Sequence, residues 1–210
     1  MRHPKLYYCP GHMSFASHVI LTEIGKPFEA ITVSIKEGAT QSPEFKRINP
    51  KGKIPVLDTG SEILTESAAI LYYLALTNPE CKLVPDSAMG VSRAIEWTNW
   101  LSTILAGPVG QHVRPERFTN EEHGQPGVKE KGTQNLLIAY AEINERLADR
   151  QWALDDGYSI VDPTLLIFFK WGNQLKLDMS QFGHWCEHTR RMEQRPAVQA
   201  ALAAENISIW

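Results

Sequence analysis

The chain has 210 residues, a formal charge of −3 and 43% hydrophobic content, enough for one large or two small domains with a sizeable apolar core. Its weak net charge offers no bulk attraction for nucleic acid or an anionic membrane, so neither partner is expected. Three cysteines at wide, unrelated spacings, Cys9, Cys81 and Cys186, fit neither a disulfide framework nor a zinc site, so no metal is expected; without a long apolar run at the N-terminus, the expected compartment is a reducing cytoplasm.

In chain order, "KLYY" (residues 5–8) reads as a short strand that Pro10 and Gly11 break. Ala16, Ile20, Leu21 and Ile24 then recur at helical spacing from Ser14 to Ile24, and Gly25 stops the helix. "FEAITVSI" (28–35) alternates with a β-branched bias, which gives a second strand and a βαβ unit with its helix on a sheet face. No regular element is assigned to "SPEFKRINPKG" (42–52). "KIPVL" and "EILT" flank the polar turn "DTGS" as an antiparallel hairpin, and Glu66 to Leu76 follows with helical spacing. The Pro, Asn and charge of "TNPECKLVPDS" read as an interdomain linker.

Beyond residue 85 no alternating segment of useful length appears. A helix is expected over Ser87 to Ala106, cut by Gly107 and Pro108, then an irregular or kinked span to Gly132, then helices in "NLLIAYAEINERLA", "PTLLIFFKWGNQLK" and around Pro196. The expected class is α/β plus all-α: a βαβ-ββα domain over 1–80, a linker over 81–86 and a helical domain over 87–210.

With that organisation, the segments "KLYYCPG", "INPKGKIPVL", "LTESAAILYYLA", "RAIEWTNWL", "YSIVDPTLLIFFKW" and "RMEQRPAVQAALAAE" resemble the cytosolic glutathione transferases, most closely the bacterial beta class, over nearly the whole chain. The resemblance implies a thioredoxin-like N-terminal domain, a C-terminal helical bundle, glutathione as cosubstrate, a small hydrophobic electrophile and a homodimer. It makes Pro55 cis and lays the Ile54 backbone against glutathione's cysteinyl unit, whereas an edge-strand proline needs no ligand to explain it. It gives Glu66 the γ-glutamyl ammonium and Ser67 the carboxylate, at a helix N-terminus suited to an anion; Thr65 as a plain N-cap is the competing reading. Lys51 and Lys53 lie near for the glycyl carboxylate, with solvated surface lysines as the alternative, and Asn99 is retained from the family pattern near the cleft.

Within "YYCPGHMSFASH", Met13 stands where the beta class has a cysteine at the start of the first helix, and a thioether cannot ionise. Cys9 comes four residues too early, and the favoured reading for it is a small buried hydrophobe. Ser14 is the candidate hydroxyl donor to the glutathione sulfur, with N-capping as its other reading; His12 and Tyr8 are second choices. Ala106 and Gly107 replace the histidine-lysine pair that the family carries late in the first long helix, and His112 arrives later. "YSIVDP" reads either as a capping box between Ser159 and Asp162 or as Asp162 capping a helix that starts at Pro163. Trp171, Trp185, Phe168 and Phe169 are expected in the core. Three functions follow: a transferase acting on a small hydrophobic electrophile, a glutathione-dependent thiol-disulfide reductase or peroxidase using Cys9, and a non-catalytic glutathione-binding or scaffold member.

Overall fold

The computed structural model describes residues 3–210. Strand β1 (Lys5–Tyr8) pairs parallel with β2 (Glu29–Thr32) across helix α1 (Ser14–Ile24), and antiparallel with β3 (Val56–Asp58), which pairs antiparallel with β4 (Ile63–Thr65). The sheet order is β2-β1-β3-β4. Because successive strand side chains face opposite ways, Leu6, Tyr8 and Leu57 enter the main core with α1 and α3 (Ser67–Leu76), whereas Tyr7 and Val56 meet Phe45 on the other face. Phe45 belongs to α2 (Pro43–Ile48), in the stretch left unassigned above; Ser42 accepts the Phe45 N–H at 3.1 Å and Pro43 takes the first turn, where its missing N–H costs nothing.

The helical half comprises α4 (Ala88–Ile104), α5 (Gly110–Val113), α6 (Gln125–Arg146), α7 (Val161–Gln174), α8 (Gly183–Glu193) and α9 (Pro196–Glu205). Two expectations are corrected. Gly107 and Pro108 do not cut the first long helix: a π turn over Leu105–Val109 absorbs Pro108 and carries the chain into α5. A widened turn has room for the proline ring, whose nitrogen carries no proton to donate. Nor is the span to Gly132 irregular throughout, since α6 already begins at Gln125. Gly132 lets α6 approach α5 closely, because a β-carbon there would stand 2.6 Å from Gln111 Cβ.

Helix α7 is buried along most of its length, and its start resolves the two readings of "YSIVDP". Asp162, fully buried, accepts the Ser159 N–H at 2.8 Å, while the Ser159 hydroxyl accepts the Val161 N–H at 3.2 Å. The helix therefore begins before Pro163, with the Ser159–Asp162 reciprocal bond in place, although Ser159 caps Val161 rather than Asp162. Asp162 also accepts the Ala153 N–H and bonds His188 Nε2, both at 2.8 Å, and so joins α7 to α8. Trp185, Phe168 and Phe169 are fully buried, as expected. Helix α1 packs on α7 and α9, which seats the helical half against the loop that follows β1.

Candidate active site

Register brings three chain segments to one edge of the sheet. Tyr7 pairs with Val56 and Val56 with Thr65, so the loop leaving β1, the turn entering β3 and the turn leaving β4 lie side by side. The Ile54–Pro55 peptide is cis, and the Ile54 N–H and C=O take no partner in the surrounding turns and loops. Glu66 stands ahead of α3 with φ +73, in the left-handed region that a non-glycine residue rarely occupies. Ser67 opens α3 with its hydroxyl oxygen buried and unpartnered. A buried hydroxyl at a helix N-terminus, beside an exposed carboxylate, fits a ligand that carries both an anion and a cation.

Thr65 does not cap α3; its hydroxyl accepts the Lys51 ammonium at 3.1 Å, and the same ammonium meets Glu66 Oε1 at 2.5 Å. Lys53 is exposed, its carbonyl holding Asn49 Nδ2 at 2.7 Å. Asn99 is exposed on α4, and the structure ties it to none of the three segments. His112 bonds Thr133 on α6 at 2.7 Å and so braces α5.

The β1–α1 loop departs further from expectation. Met13 is buried in the core, its thioether turned away from solvent. Ser14 is buried as well: its hydroxyl donates to the Cys9 carbonyl at 3.1 Å and accepts the Cys9 N–H at 3.1 Å. Its one proton is thus committed to the loop. Ser14 does not N-cap α1, since Met13 holds that place without a side-chain bond. Cys9 is half-buried and Tyr8 is buried edge-on against His18. The Met13 N–H takes no acceptor in the loop, which leaves that donor and the positive end of α1 at this edge, whereas Ser14 is wholly buried.

Residues from the helical half, none of them expected at this loop from the sequence, hold it from behind. Trp171 Nε1 donates to the Gly11 carbonyl at 3.0 Å, so Trp171 is not simply core. Glu205, buried at the end of α9, accepts the Gly11 N–H at 2.8 Å and bonds His18 Nδ1 at 2.9 Å. Lys170 lies over Gly11, whose φ of +70 and missing side chain leave room for it. Burial lowers the Lys170 pKa against the pull of Glu205; burial and the Lys170 charge together lower that of His12, although His12 keeps solvent contact. The one available signal was charge in apolar context, Lys170 within "LLIFFKWG" and Glu205 within "ALAAEN".

Comparison with known proteins fits this geometry. Residues 3–76 match the family model of the glutathione S-transferase N-terminal domain, and residues 100–196 that of the C-terminal domain. The chain belongs to the glutathione S-transferase family. It is 34% identical to the glutathione S-transferase GstA of Escherichia coli O157:H7 over 97% of this chain and 99% of that protein. Among solved structures it resembles the bacterial beta class glutathione S-transferase of Sphingomonas chungbukensis, 28% identical with a TM-score of 0.83 over 97% of this chain and 100% of that one. A sphingomonad glutathione S-transferase complexed with glutathione is 28% identical with a TM-score of 0.82 over the same shares. Among the described residues no cluster of His, Cys, Asp and Glu is arranged to hold a metal, and no helix is long and apolar enough to cross a membrane.

Proposed function

We propose that this chain binds glutathione along the sheet edge that gathers Ile54, Glu66, Ser67 and the start of α1, and transfers its thiolate to a small hydrophobic electrophile held against the helical half. The observation that carries this reading is the buried, unpartnered Ser67 hydroxyl at the start of α3, with Glu66 beside it. Ser67 and the first N–H groups of α3 receive the γ-glutamyl carboxylate and Glu66 its ammonium; the Ile54 backbone pairs with the cysteinyl unit ahead of Pro55. Lys53 serves the glycyl end. Asn99, exposed on α4, faces the cleft as a further contact for the tripeptide. Lys51, now on Glu66, must give way to the incoming ammonium.

Thiol activation falls to the Met13 N–H and the dipole of α1, which favour a thiolate over a thiol. The thiol proton leaves to water. The sulfur lone pair then forms the carbon–sulfur bond as the electrophile's leaving group departs or its double bond takes up the electrons. Ser14 acts through the loop, by fixing both backbone groups of Cys9. Residues 1–80 form the glutathione-binding unit, 81–86 the linker and 87–210 the helical unit. The working state is a cytoplasmic homodimer, which the exposed apolar side chains of Tyr73, Leu76, Met89, Ile95 and Ile138 support.

The test is calorimetric binding of glutathione, with ultraviolet titration of the bound thiol in wild type and Ser14→Ala. The expected result is binding, a wild-type thiol pKa below the free value, and a shift of less than about 0.3 unit in Ser14→Ala, because its proton is spent on Cys9. A rise of about one unit in that variant would put the hydroxyl on the sulfur after all. Binding with an unshifted thiol leaves the scaffold reading. A mass gain at Cys9 under oxidised glutathione, matched by disulfide reduction, would replace the transferase with the reductase, a reading that the partial exposure of Cys9 favours.

A further inference from the structure

Lys170 is 5% exposed, and its ammonium stands 3.1 Å from where a β-carbon on Gly11 would be. It takes no part in the bonds that hold the loop, which come from Trp171, Glu205 and Ser14. A methionine of similar reach would fill the same space without the desolvation penalty, so packing gives no account of the charge. The other titratable groups facing this point are Glu205 from α9, His18 from α1 and His12 from the loop itself. The side chains that the family resemblance assigns to sulfur activation are absent here, with Met13, Ala106 and Gly107 in their places.

We propose that Lys170 is a positioning residue for thiol activation: its ammonium, held behind Gly11 by α7, supplies through the loop the positive potential that favours the glutathione thiolate at the start of α1. The inference rests on the transferase reading above and deepens it. No bond is made or broken at Lys170; the thiol proton goes to solvent and the ammonium keeps its charge throughout. Glu205 limits the effect by sharing the same space, while its bonds to Gly11 and His18 keep the loop in register. A unit charge about a loop's width away in a partly dry site shifts a thiol pKa by about one unit.

The test measures glutathione affinity at a pH low enough that the thiol is protonated both free and bound, the pKa of the bound thiol, and the thermal midpoint, in wild type, Lys170→Met, Lys170→Arg and Glu205→Gln. The expected result is a bound-thiol pKa raised by about one unit in Lys170→Met, with affinity within about twofold of wild type, and restored in Lys170→Arg. Glu205→Gln, which removes the opposing charge but keeps an acceptor for the Gly11 N–H, should lower the pKa. An unchanged thiol pKa in folded Lys170→Met overturns the proposal, as does an equal rise in the Met and Arg variants, which would mark a packing role. Should Lys170→Met not fold, Glu205→Gln decides: a thiol pKa that stays put or rises rejects the through-loop charge. A wild-type thiol that titrates at its free value removes the transferase reading itself, a result separate from any variant.

Discussion

Replacing Asp162 with alanine removes the acceptor on which three buried residues converge: Ala153 through its N–H at 2.8 Å, Ser159 through its N–H at 2.8 Å and its hydroxyl at 3.2 Å, and His188 through Nε2 at 2.8 Å. Each buried donor left without a partner costs roughly 1–3 kcal/mol, and removing one partner of a buried charged pair typically costs about 3–5 kcal/mol. Because these donors share one carboxylate their costs overlap, and we expect a loss of about 4 kcal/mol, a large part of the ~5–15 kcal/mol that holds a typical protein folded. Ser159→Ala, which removes only the acceptor for the Val161 N–H and one bond to Asp162, should cost about 1 kcal/mol. Urea unfolding followed by circular dichroism and tryptophan fluorescence, at one fixed protein concentration because assembly shifts apparent stability, gives both values. A loss below about 1 kcal/mol in Asp162→Ala, together with none in Ser159→Ala, would refute the reasoning. That result would return Asp162 to a simple N-cap ahead of Pro163.

Gly132→Ala places a β-carbon 2.6 Å from Gln111 Cβ and 2.9 Å from the His112 nitrogen, so α5 must move; we expect a loss of about 1–3 kcal/mol and faster amide exchange in α5 with α7 unaffected, and wild-type exchange there would disprove the close contact. His12 should titrate below the ordinary histidine value by NMR, since burial and then Lys170 disfavour its proton against the pull of Glu205. The sign follows from linkage: between the lowered folded pKa and the ordinary unfolded one, the unfolded chain binds more protons, so this contribution to stability is lost as pH falls through that window. A His12 resonance titrating at or above 6.5 would contradict the electrostatics of the loop.

Local signals carried most of the fold. The spacing of Ala16, Ile20 and Leu21 marks a helix that is buried on every side from Ser14 to Leu21, whereas "FEAITVSI" gives a strand, Glu29–Thr32, that is mostly exposed, so its alternation located the strand without reporting a buried face. Helix α2 was legible in principle, because Ser42-Pro43-Glu44 is a helix start, but it is short and its single buried residue, Phe45, gives no periodicity to count. The π turn was not legible: Gly and Pro adjacent in sequence read as a break, and only packing against α6 and α4 makes a widened turn preferable to one. At the site, the edge built from Ile54, Glu66 and Ser67 follows from local motifs. The commitment of the Ser14 hydroxyl and the approach of Lys170 and Glu205 do not, because their partners lie far along the chain and no pattern in one sequence pairs them.

That distant approach bears on how the chemistry is held in place. The N-terminal half alone leaves the Gly11 N–H and C=O without partners, and the helical half supplies both, from Glu205 and Trp171. Helix α1 is held near both ends against α9: Glu205 reaches Gly11 and His18 at one end, and at the other Arg195 pairs with Glu23 while stacking 3.6 Å from the centroid of the Tyr158 ring. A helix clamped near both ends keeps its N-terminal N–H groups at a fixed height above the sheet, and their dipole acts on a sulfur only if that height is kept. The geometry that would activate a thiol is therefore set jointly by the two halves. Loosening α9 at Arg195, well away from the loop in sequence, should disturb sulfur chemistry before it disturbs glutathione affinity, since Ile54, Glu66 and Ser67 owe nothing to that contact.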